Sequence, residues 1–228
     1  MLLSSPSYVR SELLGQDLPS EGALTVRTGD TTPFRSLLLR PRRINGNEEH
    51  RMSLSKNTLP VIYLKAGEIH FSGQPASVYT VLGSCLAVTM FHRRLGIGAI
   101  CHGLLPECRE KERCGGDCPE PGKYVDCAIQ WMTKRFKQQG VSLHEIEIKV
   151  FGGADTFSAG PGGKGGISIG KRNAVMAMQE LEKEGLKILA LDVGGAAGRK
   201  LFFNTQTGEV LLKRLQPRVI LAGTRAKE

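Results

Sequence analysis

Aromatic residues are scarce in this 228-residue chain: 6% of the total, with a single Trp. Base-stacking surfaces are therefore not expected to dominate its binding. Nothing approaches 18 consecutive apolar residues, so no membrane-spanning helix is expected. The opening Met1-Leu2-Leu3-Ser4-Ser5-Pro6 has no basic lead and no long apolar run. A secretory leader is not expected from it, and neither is membrane insertion. Neither G-x-G-x-x-G nor a P-loop pattern occurs, which leaves nucleotide binding without support. No internal repeat is apparent.

What is present is globular composition: 40% hydrophobic and 23% charged residues, with 28 Gly to supply turns. The length suits one domain plus a tail, and a chain of this size buries a full core without metal or disulfide staples. Basic residues outnumber acidic ones 31 to 22, a net charge of +9. That charge is spread along the chain. The densest cluster, Arg40, Arg42 and Arg43, is followed by Glu48 and Glu49. An acidic protein partner explains such a balance as well as nucleic acid does, and no nucleic-acid partner is expected.

Residues 1–57 show no sustained periodicity and are rich in Ser, Pro, Thr, Gly, Asn and Arg. They read as a mostly disordered N-terminal extension; the competing reading docks Leu37–Leu39 on the body as a short strand or helix. The ordered domain is expected over 58–217, with a C-terminal tail at 218–228. Four strands follow from apolar or β-branched runs at Pro60–Leu64, Val78–Leu82, Leu86–Phe91 and Ile97–Cys101. His92 lies in the short link between the last two and should be solvated. Residues 105–122 read as a long polar loop. Val125, Ala128, Ile129, Met132 and Phe136 recur at helical spacing, and Gly140 stops that helix. Ile146, Ile148 and Val150 alternate as a half-buried strand. The Gly-rich run 158–166 predicts a mobile loop. A second helix is expected at about 171–184 with Val175, Met178 and Leu181 inward. Leu186–Val193 is another strand, and Leu201–Phe203 and Val210–Leu212 flank the turn signature Asn204–Gly208. Two helices among seven or eight strands indicate an α+β fold.

Six cysteines occur: Cys85, Cys101, Cys108, Cys114, Cys118 and Cys127. Without a secretory leader they are expected as thiols. The spacing Cys108-x5-Cys114-x3-Cys118-x8-Cys127 is looser than the CxxC pairs of most zinc sites, so free thiols are preferred there over a metal site. Cys85 differs. It follows a Gly83-Ser84 turn between two apolar runs, where adjacent backbone amides of Gly83, Ser84 and Cys85 can face a reacting oxygen. A thiol becomes a nucleophile when a nearby base takes its proton. Of five histidines, His102 ends the strand expected to pair with the one that carries Cys85. A turn centred near residue 94 sets Cys85 almost opposite His102. A buried cysteine beside an inert buried histidine fits the same pattern. The pairs Gly152-Gly153 and Gly194-Gly195 each follow a strand, where glycine serves either a ligand's close approach or only a turn.

Thr80-Val-Leu-Gly-Ser-Cys85-Leu-Ala-Val, with His102 seventeen residues further on, resembles the chemoreceptor glutamine deamidase family, CheD. Gly122–Asp126, Lys149–Ala154, Ser168–Asn173, Asp192–Gly195 and the hairpin from Phe203 follow in the family's order. The resemblance covers roughly Leu59 to Leu215. It implies a layered α/β sandwich of mixed sheets with helices packed outside, similar to the cytotoxic necrotizing factor hydrolases. It implies an enzyme that hydrolyses selected glutamine side chains of methyl-accepting chemoreceptors to glutamate and ammonia. Cys85 matches the family nucleophile and His102 its histidine. The third family residue, a threonine on the preceding strand, is assigned to Thr80, with Tyr79 as the neighbouring register. Neither metal nor cofactor is implied, and the location implied is cytoplasmic. A second implied partner is a CheC-type phosphatase, so the alternative is a non-catalytic module that stimulates it.

Overall fold

In the computed structural model the described residues are 42–43, 59–109, 117–155 and 167–215. All belong to one unit, Leu37–Glu228. The strands are β1 (Arg42–Arg43), β2 (Val61–Tyr63), β3 (Ile69–Ser72), β4 (Ser77–Leu82), β5 (Leu86–His92), β6 (Ile97–Cys101), β7 (Ile146–Gly152), β8 (Ile188–Val193), β9 (Arg199–Asn204) and β10 (Val210–Arg214). The helices are α1 (Val125–Gln138) and α2 (Ile169–Lys183). Two five-stranded sheets form, in the orders β1-β10-β9-β4-β2 and β3-β6-β5-β7-β8. Each mixes parallel and antiparallel pairs. The fold is α+β.

β5 explains the layering. Every one of its residues is buried. Leu86, Val88 and Met90 pack with α1 and α2 residues such as Ile129, Met132, Phe136 and Leu181. Ala87 and Phe91 pack with Val78, Leu82, Leu201 and Phe203 of the first sheet. Strand side chains alternate between faces, so the second sheet lies between the helices and the first sheet. β4 runs into β5 through the bend 83–85, which carries the chain from one sheet to the other.

Several expectations are met and several are corrected. Val125, Ala128, Ile129, Met132 and Phe136 form the buried stripe of α1. In α2 the buried positions are Gly170, Asn173, Ala174, Ala177, Glu180 and Leu181. Leu181 faces inward as expected, but Val175 and Met178 do not. Small residues win the inner face because α2 packs tightly there: a side chain on Gly170 would lie 2.6 Å from the carbonyl oxygens of Gly153 and Ala154. β3 was not anticipated. Its Ile-His-Phe-Ser is short and all four residues are partly exposed, so its hydropathy pattern is faint.

His92 is not in a solvated link. It ends β5 opposite Ile97, is 1% exposed, and accepts the Leu95 amide on Nδ1 at 3.2 Å. The turn is therefore Arg93–Gly96, centred half a residue later than the sequence indicated. Within 1–57, Arg42–Arg43 pair in parallel with Leu211–Leu212. The rest of that extension, with Leu37–Leu39, lies outside the described residues. So do the Gly-rich run 158–166, Cys114 and the tail 218–228.

Candidate active site

The shifted turn changes how the candidate dyad meets. Leu86 bridges Gly103, and Thr89 pairs with Ile100. His102 therefore falls across from Ala87, two positions along from Cys85. The two candidates are diagonal neighbours on one face and not directly opposed, and no hydrogen bond joins Cys85 to His102 Nε2. The face is the one between the sheets. Cys85 packs against the inter-sheet core. His102 continues the face of Ile100, which belongs to the same core.

Thr80 settles the imidazole. It lies on β4 with Val78 and Leu82, the inward set of a strand whose burial alternates. Tyr79 points to the other face, against Phe202 and Tyr63. Thr80 Oγ1 donates to the Leu64 carbonyl at 2.9 Å and lies 2.7 Å from His102 Nδ1. A hydroxyl has one proton. With that proton on Leu64, Oγ1 must accept from Nδ1–H. The lone pair is then on Nε2. Nε2 is buried and has no hydrogen-bond partner among the described residues. A buried, unpaired ring nitrogen is costly unless something else takes it up.

Electrostatics keep both candidates neutral at rest. Burial pulls His102 below the ordinary 6.5, opposed by the Leu64 carbonyl and the charge of Glu68. Burial pushes the half-buried Cys85 thiol up, opposed by its own backbone amide. Desolvation disfavours each charged form. The arrangement is a neutral thiol and a neutral imidazole on one face of the sheet.

The bend that carries Cys85 is fastened by its carbonyls. Gly83 O accepts from Ala154 N at 2.9 Å, and Cys85 O accepts from Gly153 N at 2.8 Å. Ser84 O accepts from Asn173 Nδ2 at 3.0 Å, and the same amide donates to Leu104 O at 3.0 Å. Among the described residues no backbone carbonyl accepts from the amides of Ser84 or Cys85. Gly152 adopts φ +112°, and a Cβ there would lie 2.3 Å from the Cys85 carbonyl oxygen. The Gly152-Gly153 pair thus serves close approach to the Cys85 bend. Gly194 and Gly195 meet no neighbour where a Cβ would stand; their backbone accepts instead, Gly194 O from Arg199 at 2.7 Å and Gly195 O from Asp155 N at 2.8 Å.

Two elements were missed by sequence reasoning. Asn173 is fully buried on α2 and ties the Cys85 bend to the segment after His102. Its signal was a polar residue on the inner stripe of a helix. Arg199 is fully buried too, and with Arg214 it holds Asp192 at 2.8 Å. Those arginines, after first paying the desolvation of burial, bring the Asp192 carboxyl below its ordinary value. The cluster fastens the last crossing between sheets, from β8 to β9.

A cysteine and a histidine set on one face, with an oriented imidazole and a glycine-bearing bend, make up the equipment of thiol-dependent hydrolases. Comparison with known proteins narrows this. Residues 104–214 match the family described as CheD chemotactic sensory transduction. The chain is 46% identical over 157 residues to a probable chemoreceptor glutamine deamidase CheD 2 of Geobacter sulfurreducens, covering 69% of this chain and 91% of that one. It is 37% identical to a probable chemoreceptor glutamine deamidase CheD of Maridesulfovibrio salexigens, covering 72% of this chain and 98% of the relative. It is 33% identical to the chemoreceptor glutamine deamidase CheD of Thermotoga maritima, covering 65% and 88%. The chain belongs to the chemoreceptor glutamine deamidase family, CheD. The family-model match begins after His102, so the reading of Thr80, Cys85 and His102 rests on their geometry.

Proposed function

We propose that the chain is a chemoreceptor glutamine deamidase, a protein-glutamine amidohydrolase acting in chemotaxis. Cys85 is its nucleophile and His102 its base. One observation carries this: the Thr80 hydroxyl, committed to Leu64, leaves a lone pair on a buried His102 Nε2 that shares a face with Cys85. As the thiol attacks the glutamine carboxamide carbon, its proton passes to Nε2. Starting from neutral partners, transfer accompanies attack and does not precede it. The amides of Ser84 and Cys85, at the turn that Gly83 opens, donate to the tetrahedral oxyanion. His102 then hands its proton to the departing ammonia, leaving a thioester. Water, deprotonated by Nε2, attacks the thioester and releases glutamate. No metal or cofactor enters these steps.

The substrate is a glutamine on a cytoplasmic helix of a methyl-accepting chemoreceptor, which gives the protein a cytoplasmic location. The deamidase domain spans 58–217, flanked by an N-terminal extension, 1–57, and a C-terminal tail, 218–228. Its layering is similar to that of the cytotoxic necrotizing factor hydrolases. A CheC-type phosphatase is a second partner. The exposed Val61, Tyr63 and Val81 of the first sheet offer an apolar face for such docking. The deciding experiment is mass spectrometry of a receptor fragment incubated with the wild-type chain or with Cys85→Ala. Wild type converts Gln to Glu and releases ammonia; the variant is slower by at least about 10³-fold. Full activity in Cys85→Ala refutes the nucleophile.

A further inference from the structure

Outside the active site, three thiols converge. Cys108 follows the segment that leaves His102. Cys118 lies before the short 3-10 turn Pro121–Lys123, and Cys127 lies in the first turn of α1. Their sulfurs all lie within 4.8 Å of one another. We propose that Cys108, Cys118 and Cys127 bind a single zinc ion that ties the chain around Cys108 and Cys118 to the first turn of α1. This does not rest on the deamidase reading.

The geometry suits the ion. Zinc–thiolate bonds of about 2.3 Å put the sulfurs of a tetrahedron about 3.8 Å apart. Each thiol here need move by only about 0.5 Å to reach that bond length, a small rotamer adjustment. The ligands come from three separate stretches of chain. A bond to a common ion therefore joins stretches that local hydrogen bonds only partly tie: Leu105 N to Lys123 O, and Val125 N to Leu105 O. Cys108 and Cys127 are also held from behind, because the fully buried Asp126 carboxylate accepts both of their backbone amides, at 3.2 and 2.7 Å. Soft sulfur donors select zinc, copper(I) or iron–sulfur centres, and the three sulfurs that converge among the described residues suit a zinc ion with one further donor. Zinc imposes no geometry of its own, so it accepts three protein sulfurs and leaves one position to a further donor. On binding, three thiol protons are released and three Zn–S bonds form.

The test uses the full chain, purified under reducing conditions, given a slight excess of Zn²⁺ and desalted against a weak chelator. Elemental analysis should find one zinc per chain in wild type and in Cys85→Ala. In Cys118→Ser, a half-buried and tolerant position, retention should fall at least tenfold. Substitution by Co²⁺ should give an intense sulfur-to-cobalt absorption band that the same variant weakens. Because Cys85→Ala keeps its zinc, loss of activity and loss of metal are read separately. The proposal is overturned by negligible retention in folded wild type, by retained metal without the sulfur band, by preference for copper(I) over zinc in direct competition, or by a disulfide between two of the three thiols in the reduced preparation.

Discussion

Cys85 and Cys127 are both thiols near the edge of a packed core, and their neighbours divide them. Cys85 sits in a bend, half-buried, on the same sheet face as a neutral imidazole whose open nitrogen can accept a proton. Cys127 sits in the first turn of a helix. Burial, the Asp126 carboxylate and Cys118 all push its thiol up. Among the described residues none around Cys127 lowers its thiol; what it has is two more sulfurs within 4.8 Å. The comparison teaches that a thiol's chemistry belongs to its surroundings. On the readings proposed above, a base makes a nucleophile of one, and convergence with its own kind makes a ligand of the other.

The sharpest way to break this contrast is to remove the base. His102→Gln should cut deamidation by about 10²–10⁴-fold while leaving zinc retention unchanged. Wild-type rates in that variant would place the base elsewhere. The pH profile carries the same information. His102 works when neutral, and burial holds it neutral to below 6.5. The acid limb of kcat/KM should therefore fall below that value, and a limb above it contradicts the assignment. The same shift acts on stability. The unfolded chain takes the proton first, so this group's contribution is complete above 6.5 and is lost as pH falls towards the lower folded value.

A smaller effect is expected from the residue that orients the ring. Thr80→Val keeps the shape and removes the hydroxyl that fixes the tautomer. We expect kcat to fall by about 10–100-fold with little change in KM, since the loss falls on the base and not on binding. Thr80→Ser should restore most of it. If valine and serine behave alike, packing and not the hydrogen bond is what Thr80 supplies.

The smallest effect separates Cys85 from another buried thiol. Cys101 is fully buried and raised to about 11. Iodoacetamide at about pH 8 should label Cys85 ahead of Cys101 in the native protein, by at least about tenfold as read by peptide mapping. Equal labelling would remove the distinction between a site thiol and a packing thiol.

Much of the site was legible along the chain because it is built from neighbours. The Gly83-Ser84-Cys85 bend, the strand ending at His102 and the hairpin between them are local, and periodicity locates such elements. The diagonal offset was not legible. It depends on whether His92 belongs to the turn or the strand, which burial of its ring against the core decides. The α2 inner face was misjudged because Gly170, Ala174 and Ala177 carry little hydropathy, yet they permit the closest approach. Asn173 looked like an ordinary helix polar residue until the carbonyls of Ser84 and Leu104 arrived from elsewhere.

The order of residues by itself determined the family, the two helices and most strands, and it singled out the candidate thiol and imidazole, because these follow from short-range pattern and motif. Only the folded chain decided that the Thr80 hydroxyl meets the ring, which nitrogen is left open and that the sulfurs of Cys108, Cys118 and Cys127 come together. Those facts need separate stretches of chain to meet, and no local preference encodes that meeting: it arises when the sheets and helices bury their shared faces together.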